Sequence, residues 1–315
     1  MAESLKLFSG NSNIELAKKV ATHLGIELGR CKMNSFADGE TQIEIHESVR
    51  GQNVFFMQST CPPVNQNYME TFIMLDAMKR ASAKQITAVI PYYGYARQDR
   101  KVASRAPITA KLTADLLSTA GANRIMSVDL HASQIQGFFN VPFDHLYAIP
   151  TLTRAWREQL GTGHDFVAVS PDAGGVERTR SFAKRIDGLF AIIDKHRTSP
   201  NEAKAMNLIG DVKGKTAVIV DDMIDTAGTL TQAVDILIKN GAKRVFAVAT
   251  HPVLSGPAVS RLMESPIEKV WATDTIPLSE AAKNSGKLEI VSVSPLIAEA
   301  IKRIHGNDSV SSLFD

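Results

Sequence analysis

Residues 216–233 read TAVIVDDMIDTAGTLTQA, and this stretch decides the predicted fold. An apolar, mostly β-branched run ends in the carboxylates Asp221 and Asp222, and small residues then lead into a helical pattern. Continuous apolar runs of this kind are typical of strands that are buried in a parallel sheet. Because open α/β sheets place their ligands at the carboxyl ends of such strands, the stretch predicts a strand, a ligand-binding turn and a helix.

The turn of this stretch has the residue types that a sugar-phosphate site needs. Small residues at 226–229 let backbone N–H groups approach a phosphate, and the following helix N-terminus adds unpaired donors. The two adjacent carboxylates can accept hydrogen bonds from vicinal sugar hydroxyls, or hold a metal through its water shell. The alternative is a buried strand followed by an ordinary Asp-capped helix. Adjacent charges at a strand end are costly unless they bind something, which favours the ligand site.

Length and composition indicate a two-domain protein without a nucleic-acid or membrane partner. The chain has 315 residues, of which 44% are hydrophobic, enough for about two cores. Its 35 basic and 33 acidic side chains give a net charge of only +2. Cys31 and Cys61 are expected to be reduced structural thiols. No signal sequence and no run of about 18 apolar residues is apparent, so we expect a cytoplasmic protein.

Strand-like runs alternate with helical ones along the whole chain, which predicts an α/β fold with a mainly parallel sheet flanked by helices. In the predicted helix at 65–83, the residues Met69, Phe72, Ile73, Leu75 and Met78 form an apolar stripe that we expect to pack in the core. The strand-like runs are 5–9, 42–47, 53–59, 86–93, 124–130, 166–172, 189–194, 216–222, 244–250, 269–275 and 288–294.

An internal repeat divides the chain. Residues 115–128 match residues 235–248 at a constant offset of 120, from Asp115 against Asp235 onward. A helix-Gly-Ala-strand unit recurs easily in α/β proteins, so chance is the alternative explanation. Two similar domains would meet near Pro150, giving the boundaries 1–149 and 150–294. The first half has aromatic and basic residues where the second has the acidic loop, so we expect it to bind a different ligand.

Five motifs in register resemble one enzyme family, the ribose-phosphate pyrophosphokinases, which have the type I phosphoribosyltransferase-like fold. They are F-x-D-G-E at 36–40, Y-x-R-Q-D at 95–99, S-P-D-x-G-G at 170–175, K-x-R at 195–197 and D-D-M-I-D-T at 221–226. The resemblance implies two tandem domains of that fold, with the segment 295–315 completing the first. It also implies Mg²⁺-dependent transfer of the pyrophosphoryl group of ATP to the 1-hydroxyl of ribose 5-phosphate, which yields phosphoribosyl pyrophosphate and AMP.

The resemblance assigns roles that residue patterns alone leave open. The segment 36–40 is otherwise an Asp-Gly hairpin turn, 95–101 a solvated basic loop, His131 a structural histidine and 170–175 a Gly-rich turn. Because Mg²⁺ prefers oxygen, His131 is a weaker direct ligand than Asp172. Many relatives have Gly in place of Ala227.

The implied ATP residues, with the hairpin contributed by a neighbouring subunit, are Phe36, Asp38, Gly39, Glu40, Arg97, Gln98 and Asp99. The implied ribose 5-phosphate residues are Arg197, Asp221, Asp222, Asp225, Thr226, Ala227, Gly228 and Thr229. The implied pyrophosphate loop is Asp172, Ala173, Gly174 and Gly175, and the implied metal residues are His131 and Asp172.

Lys195 and Arg197 are the implied catalytic residues, on a loop that closes over the transferring group. His196 departs from the Arg of many relatives and receives no role. The segment 210–216 resembles a P-loop, but its glycines are one residue too close and it precedes a strand, so we predict a turn.

The family pattern further implies a homohexamer with phosphate and ADP as effectors, although a Ser-rich tail is otherwise expected to be disordered. The implied regulatory residues are Ser48, Arg50, Ser82, Gln136, Ser309 and Ser311. Two alternative functions are a phosphoribosyltransferase and a non-catalytic regulatory homologue.

Overall fold

The computed structural model describes residues 5–196 and 205–313, with the backbone alone at 195, 196, 205 and 206. The strands are β1 (Leu5–Ser9), β2 (Cys31–Ser35), β3 (Thr41–Ile45), β4 (Asn53–Met57), β5 (Gln85–Ile90), β6 (Arg124–Val128), β7 (Phe143–Leu146), β8 (Phe166–Ser170), β9 (Leu189–His196), β10 (Ala205–Ile209), β11 (Thr216–Ile224), β12 (Arg244–Pro252), β13 (Val270–Thr273) and β14 (Leu288–Val291). The α-helices are α1 (Ile14–Leu24), α2 (Val64–Arg80), α3 (Thr109–Ala120), α4 (Ile149–Leu160), α5 (Val176–Arg185), α6 (Gly228–Lys239), α7 (Ala258–Glu264), α8 (Glu280–Lys283) and α9 (Ser294–Gly306). Short 3₁₀ helices lie at Ser133–Phe138 and Ser311–Leu313.

The chain divides into two compact units. The first comprises the residues up to Tyr147, Thr275–Pro277 and the chain from Ser292 onward, and the second comprises Ala148–Asp274 and Leu278–Val291. The C-terminal helix α9 therefore belongs to the first unit, where it packs against α1. Among the described helices, none has both the length and the apolar character needed to span a bilayer.

The sheet of the first unit is wholly parallel, in the order β1-β4-β5-β6-β7. The strands lie in the sheet in the order in which they occur along the chain, so each connection leads to the neighbouring strand on the same side. Phe8, Val54 and Phe56 join the core that α2 and α3 cover, while the alternating Leu7 and Phe55 are buried on the opposite face. Both faces of the sheet are therefore covered, as parallel sheets require. The strands β2 and β3 form a separate antiparallel hairpin.

The sheet of the second unit reverses its winding direction. Its order is β10-β9-β8-β11-β12-β13-β14, and only the edge pair β9 and β10 is antiparallel. The chain moves outward from β8 to β9 and β10, and then returns to β11 on the other side of β8. Such a reversal opens a crevice at the carboxyl ends of the two flanking strands, the usual ligand position in open α/β sheets.

The sequence repeat corresponds to a repeated structural unit. In each half a helix (α3 or α6) ends at a glycine with positive φ, 133° at Gly121 and 84° at Gly241. The following alanine N–H donates back into the helix, from Ala122 to the Leu117 carbonyl at 3.1 Å and from Ala242 to the Leu237 carbonyl at 2.9 Å. Strands β6 and β12 then begin at the equivalent Arg124 and Arg244, so the two halves share local geometry as well as residues.

The predicted apolar stripe on α2 is wrong at Met69, whose side chain is 52% exposed. The helix instead buries Met74 together with the polar Asn67 and Glu70. Glu70 tolerates burial because it accepts hydrogen bonds from Asn11 Nδ2 at 3.0 Å and from Gln58 Nε2 at 2.7 Å. The apolar pattern of α2 could not reveal this buried polar residue, because the amide groups that donate hydrogen bonds to Glu70 come from other parts of the chain.

Candidate active site

Two adjacent aspartates lie near the end of β11. This strand pairs with β8 on one side and β12 on the other, so the aspartates flank the crevice between β8 and β11. Asp222 is only 3% exposed, whereas the Asp221 side chain is 32% exposed. The backbone N–H of Asp222 donates to Asp221 Oδ1 at 2.9 Å. Asp222 is therefore almost fully buried, and Asp221 is mostly buried with part of its side chain exposed.

Arg178 of α5 contacts both carboxylates. Its Nη1 lies 3.3 Å from Asp222 Oδ1 and 3.9 Å from Asp221 Oδ1. Burial raises the pKa of the Asp221 carboxyl well above its ordinary value, the charge of Asp222 adds to this, and Arg178 acts in the opposite direction. The two carboxylates and Arg178 thus form a charged group whose carboxylate oxygens can accept hydrogen bonds from hydroxyl donors.

The turn after β11 has the geometry of a phosphate loop. Ala227 precedes α6 with φ 59°, in the left-handed region, at a place where the methyl group is buried in the core. Thr226 and Thr229 on either side are exposed. Arg261 of α7 donates from Nη1 to the Thr226 carbonyl at 2.9 Å, and its guanidinium lies close to Gly228. The open turn, the helix N-terminus behind it and this cation make a suitable anion site.

The backbone N–H groups predicted for pyrophosphate have an internal acceptor. Asp172 Oδ1 accepts from the Gly174 N–H at 2.9 Å and from the Gly175 N–H at 3.2 Å. The Ser170 hydroxyl donates to the Asp172 carbonyl at 2.6 Å, which closes the turn. Asp172, Ala173 and Gly174 are exposed. A ligand oxygen that accepts from these two N–H groups would therefore have to displace the Asp172 carboxylate.

In the first unit, the motif at 36–40 forms the tip of the β2-β3 hairpin. The Phe36 N–H donates to the Glu40 carbonyl at 2.8 Å, which leaves a three-residue loop with Gly39 at φ 92°. The Glu40 N–H donates to Asp38 Oδ1 at 3.0 Å. Phe36 is 51% exposed, and Asp38 and Glu40 are exposed as well. An aromatic ring and two carboxylates are thus presented away from the chain that carries them.

The second motif of the first unit follows β5, and its residues Arg97 and Gln98 are exposed. The Gln98 side-chain carbonyl accepts from the Thr109 hydroxyl. Asp99 Oδ2 accepts from Gln134 Nε2 at 3.1 Å, which ties this loop to the 3₁₀ helix that follows the exposed His131. His131 lies in the first unit and Asp172 in the second. Within the ranges that the structure describes, no group of three potential metal-ligating side chains occurs.

Comparison with known proteins decides the family. Residues 5–121 match the N-terminal domain of ribose phosphate pyrophosphokinase, and residues 195–315 match the phosphoribosyl synthetase-associated domain. The chain is 57% identical to a ribose-phosphate pyrophosphokinase of Oceanobacillus iheyensis, over 99% of this chain and 98% of that one. A ribose-phosphate pyrophosphokinase of Caldanaerobacter subterraneus is 58% identical with the same coverage. The chain belongs to the ribose-phosphate pyrophosphokinase family.

A solved structure agrees with this membership. The crystal structure of phosphoribosylpyrophosphate synthetase from Mycobacterium smegmatis superposes with a TM-score of 0.92 and 45% identity, covering 97% of this chain and 100% of that chain. The α/β class and the phosphoribosyltransferase-like architecture predicted from the family motifs are therefore confirmed.

The predicted catalytic residues of this pyrophosphokinase-family chain are described only in part. Lys195 lies in β9, opposite Met206 of β10, and its side chain is outside the described residues. Arg197 lies outside the described residues altogether. The segment 210–216 is a turn between β10 and β11, as predicted, with φ 117° at Gly210 and 71° at Gly214.

The predicted regulatory residues all lie in the first unit. Ser48, Arg50, Ser82 and Gln136 are exposed, and the Ser82 carbonyl accepts from the Gly51 N–H at 2.8 Å. The Ser309 carbonyl accepts from Arg303 Nη1 at 3.0 Å, and its hydroxyl accepts from the Ser311 N–H at 3.2 Å. Arg303 also contacts the Ser312 hydroxyl. The Ser-rich segment up to residue 313 is thus tied to α9.

Two arginines at the site escaped the sequence reasoning. Arg178 had a usable signal, because it lies three residues after Gly175, in the first turn of the helix that a strand-end loop begins. Arg261 had no such signal, since it is 35 residues from Thr226 along the chain and meets it only through the packing of α7.

Proposed function

We propose that this chain catalyses the transfer of the pyrophosphoryl group of ATP to the 1-hydroxyl of ribose 5-phosphate. The products are phosphoribosyl pyrophosphate, a precursor for nucleotide biosynthesis, and AMP. The observation that carries this proposal is the match to ribose-phosphate pyrophosphokinases over nearly the full length of both chains. The sugar-phosphate geometry at the crevice between β8 and β11 supports it independently.

Ribose 5-phosphate is the proposed ligand of that crevice. Asp221 and Asp222, the two carboxylates that Arg178 contacts, accept hydrogen bonds from the ribose hydroxyls. The turn from Asp225 to Thr229 binds the 5-phosphate through its N–H groups and the N-terminus of α6. The exposed hydroxyls at this turn support that assignment.

ATP is the proposed ligand of the first unit. Arg97 meets its phosphates, Gln98 and Asp99 hold the nucleoside side, and the hairpin tip of a neighbouring subunit supplies Phe36, Asp38 and Glu40. The half-exposed Phe36 ring supports this role, because an aromatic ring at a hairpin tip has no core to join in its own chain. The dimer contact that this requires is the first step toward the homohexamer that we also propose.

Mg²⁺ is the proposed metal, and the donor set fits it. Mg²⁺ keeps several waters and is held by one or two carboxylates together with substrate phosphates rather than by a protein cage. The exposed carboxylate of Asp172 is suited to that mode, with His131 as the second proposed metal residue. Bound Mg²⁺ would neutralise charge on the ATP phosphates.

Catalysis is proposed to depend on positioning and charge. The ribose 1-hydroxyl attacks the β-phosphorus of ATP in line with the departing AMP oxygen, and Lys195 with Arg197 stabilises the developing negative charge. The proposed effectors are phosphate and ADP at the group that contains Ser48, Arg50, Ser82, Gln136, Ser309 and Ser311.

The decisive assay mixes the full chain with ATP, Mg²⁺, ribose 5-phosphate and inorganic phosphate, and identifies the nucleotide product. We expect AMP in equal amount to phosphoribosyl pyrophosphate. Formation of ADP, or absence of turnover, contradicts the proposal. Consumption of phosphoribosyl pyrophosphate with a nucleobase, and release of pyrophosphate, would indicate a phosphoribosyltransferase instead.

Lys195→Ala tests the proposed catalytic role. We expect kcat to fall by at least 100-fold with little change in ribose 5-phosphate affinity, because the charge is needed mainly in the transition state. Lys239→Ala is the matched control, since Lys239 is exposed at the far end of α6. An unchanged kcat in Lys195→Ala removes Lys195 from the mechanism.

A further inference from the structure

A depression of about 440 Å³ lies between α4 and α5 in the second unit. Five of its lining residues come from α4 and the sixth is Arg185, the last residue of α5. Helix α5 begins directly after the Asp172 turn, so Arg185 lies about 14 Å along the helix from that turn. The depression is therefore separate from the Asp172 turn at the other end of α5. Its lining is Pro150, Thr153, Arg154, Arg157, Glu158 and Arg185.

Three guanidinium groups line this depression against a single carboxylate. Among the residues that the structure describes, the side chains of Arg154, Arg157 and Arg185 have no hydrogen-bond or ion-pair partner. Elsewhere the chain forms i,i+4 ion pairs, as Arg80 does with Asp76 and Arg303 with Glu299. Glu158 also lies four residues from Arg154, but with the acid C-terminal to the base, the less favourable order. The guanidinium groups of Arg154 and Arg157 on α4 and of Arg185 on α5 are thus available to bind an anion.

The chemistry of the lining selects a multiply charged anion. A guanidinium presents parallel N–H donors that match two phosphate oxygens, and three of them exceed what a single phosphate needs. Glu158 offsets one of the three positive charges and leaves two, so a polyanion is attracted more strongly than a monovalent anion. The Thr153 hydroxyl donates to the Ile149 carbonyl at 2.7 Å, so recognition depends on charge rather than on hydroxyl groups. The volume is within the usual range of small-molecule sites.

We propose that this depression, the α4-α5 arginine site, binds a polyphosphate chain, either inorganic or the phosphate part of a nucleotide. Binding adds negative charge beside these arginines, at the opposite end of α5 from the Asp172 turn. The site does not depend on the proposed reaction, because the argument uses only the charges and the cavity of α4 and α5.

The test is calorimetric titration of the full chain with tripolyphosphate, without turnover. The variant is Arg157→Gln with Arg185→Gln. We expect it to lose one binding site per chain, or to weaken that site at least tenfold. Lys184→Gln is the matched control, because it removes an exposed charge next to Arg185 but does not line the depression. Identical isotherms for the wild type and the double variant overturn the proposal.

Two further arms sharpen the result. Arg157→Lys keeps the charge but loses the paired donors, so an intermediate weakening of tripolyphosphate binding is expected from guanidinium recognition.

Titration with ATP separates the two ligand sources. If the double variant loses equal affinity for ATP and for tripolyphosphate, the site recognises the phosphate chain alone. A larger loss of affinity for ATP indicates that the site recognises a nucleotide. Arg157 is exposed and Arg185 is half-buried, so little loss of stability is expected, and thermal unfolding without ligand checks each variant. If the double variant does not fold, Arg154→Gln replaces it under the same criterion.

Discussion

At the scale of single residues, Asp221, Asp222 and Arg178 form a charged group. Asp222 is almost fully buried, and the Arg178 guanidinium lies 3.3 Å from it and 3.9 Å from Asp221. Burying carboxylates is costly unless they are paired, so Asp222 depends on its partners for stability. Burial and the neighbouring charge of Asp222 together raise the pKa of Asp221.

Asp221→Asn is expected to raise the thermal stability at neutral pH while ribose 5-phosphate affinity falls. The raised pKa means that folded Asp221 holds its proton to higher pH than the unfolded chain does, so wild-type stability declines as pH rises through the folded pKa. The Asn variant lacks this decline. The Tm difference should therefore shrink toward zero as pH approaches about 3.9, the ordinary pKa of Asp. Asp235→Asn on α6 is the control, and a pH-independent Tm difference would contradict the assignment.

Arg178→Ala is expected to destabilise the protein by about 3 kcal/mol, near the lower end for removing one partner of a buried ion pair. The loss arises because Asp222 stays buried without its cation. Urea unfolding measures the effect, and Arg178→Lys should recover part of it. Arg180→Ala is the matched control from the same helix, since Arg180 lies over the Phe190 ring instead. A loss no larger than that of the control argues against the pairing.

At the scale of elements, the phosphate loop depends on a backbone conformation that its sequence does not favour. A non-glycine residue in the left-handed region costs about 1–2 kcal/mol, and Ala227 has φ 59°. Burial of its methyl group stabilises the folded state by about 0.8 kcal/mol. Alanine also leaves the unfolded chain less conformational freedom than glycine, a further gain of about 0.4–1 kcal/mol. Alanine is thus tolerated here because core packing and chain stiffness offset the strain.

Substitutions at Ala227 test this balance. Ala227→Gly should change the free energy of unfolding by less than about 1 kcal/mol, because strain relief, lost burial and added chain entropy nearly cancel. Ala227→Val should cost about 2–4 kcal/mol, because a β-branched residue at positive φ is strained and the core beside it is filled. Urea unfolding compares the two variants. Equal effects would show that the φ angle does not control this loop.

Sequence patterns found the strands with continuous apolar character and the alternating run at 42–47 that became β3, and missed three other described strands. The runs at 216–222 and 244–250 became β11 and β12 because buried parallel strands need unbroken apolar residues. The strands β2, β7 and β10 were missed. β2 alternates half-buried and exposed residues, and β7 contains Asp144, which is buried only because Arg124 pairs with it at 2.7 Å. That pairing joins positions 20 residues apart and leaves no local pattern.

At the scale of the whole molecule, the two units differ in winding rather than in building blocks. Both contain the helix-glycine-strand unit of α3-β6 and α6-β12. The sheet of the first unit follows chain order, whereas the second reverses at β8 and β11 and so opens a crevice. The residues proposed to bind ribose 5-phosphate lie in and after β11, one of the two strands at that reversal. We propose that these units are the two phosphoribosyltransferase-like domains, with the C-terminal segment completing the first.

Ile301→Ala tests the assignment of α9 to the first unit. Ile301 is fully buried on a helix that packs against α1, so the change should cost about 2–5 kcal/mol. Hydrogen exchange should accelerate in α1 and β1 while the core strands β11 and β12 stay protected. Ile290→Ala on β14, where the side chain is 37% exposed, is the control and should have little effect. Faster exchange confined to β11 and β12 would place α9 with the other unit.

The sequence by itself determined the α/β class, the repeated unit and the loops at strand ends, because each is encoded in contiguous residues through apolar runs, glycines and short motifs. The tertiary structure decided how β11 is used. It showed that Ala227 sits at positive φ, that Asp172 holds the N–H groups of its own turn, and that Arg178 and Arg261 reach the stretch at 216–233 from other helices. These features depend on strand order and on packing between distant segments, which local sequence cannot specify.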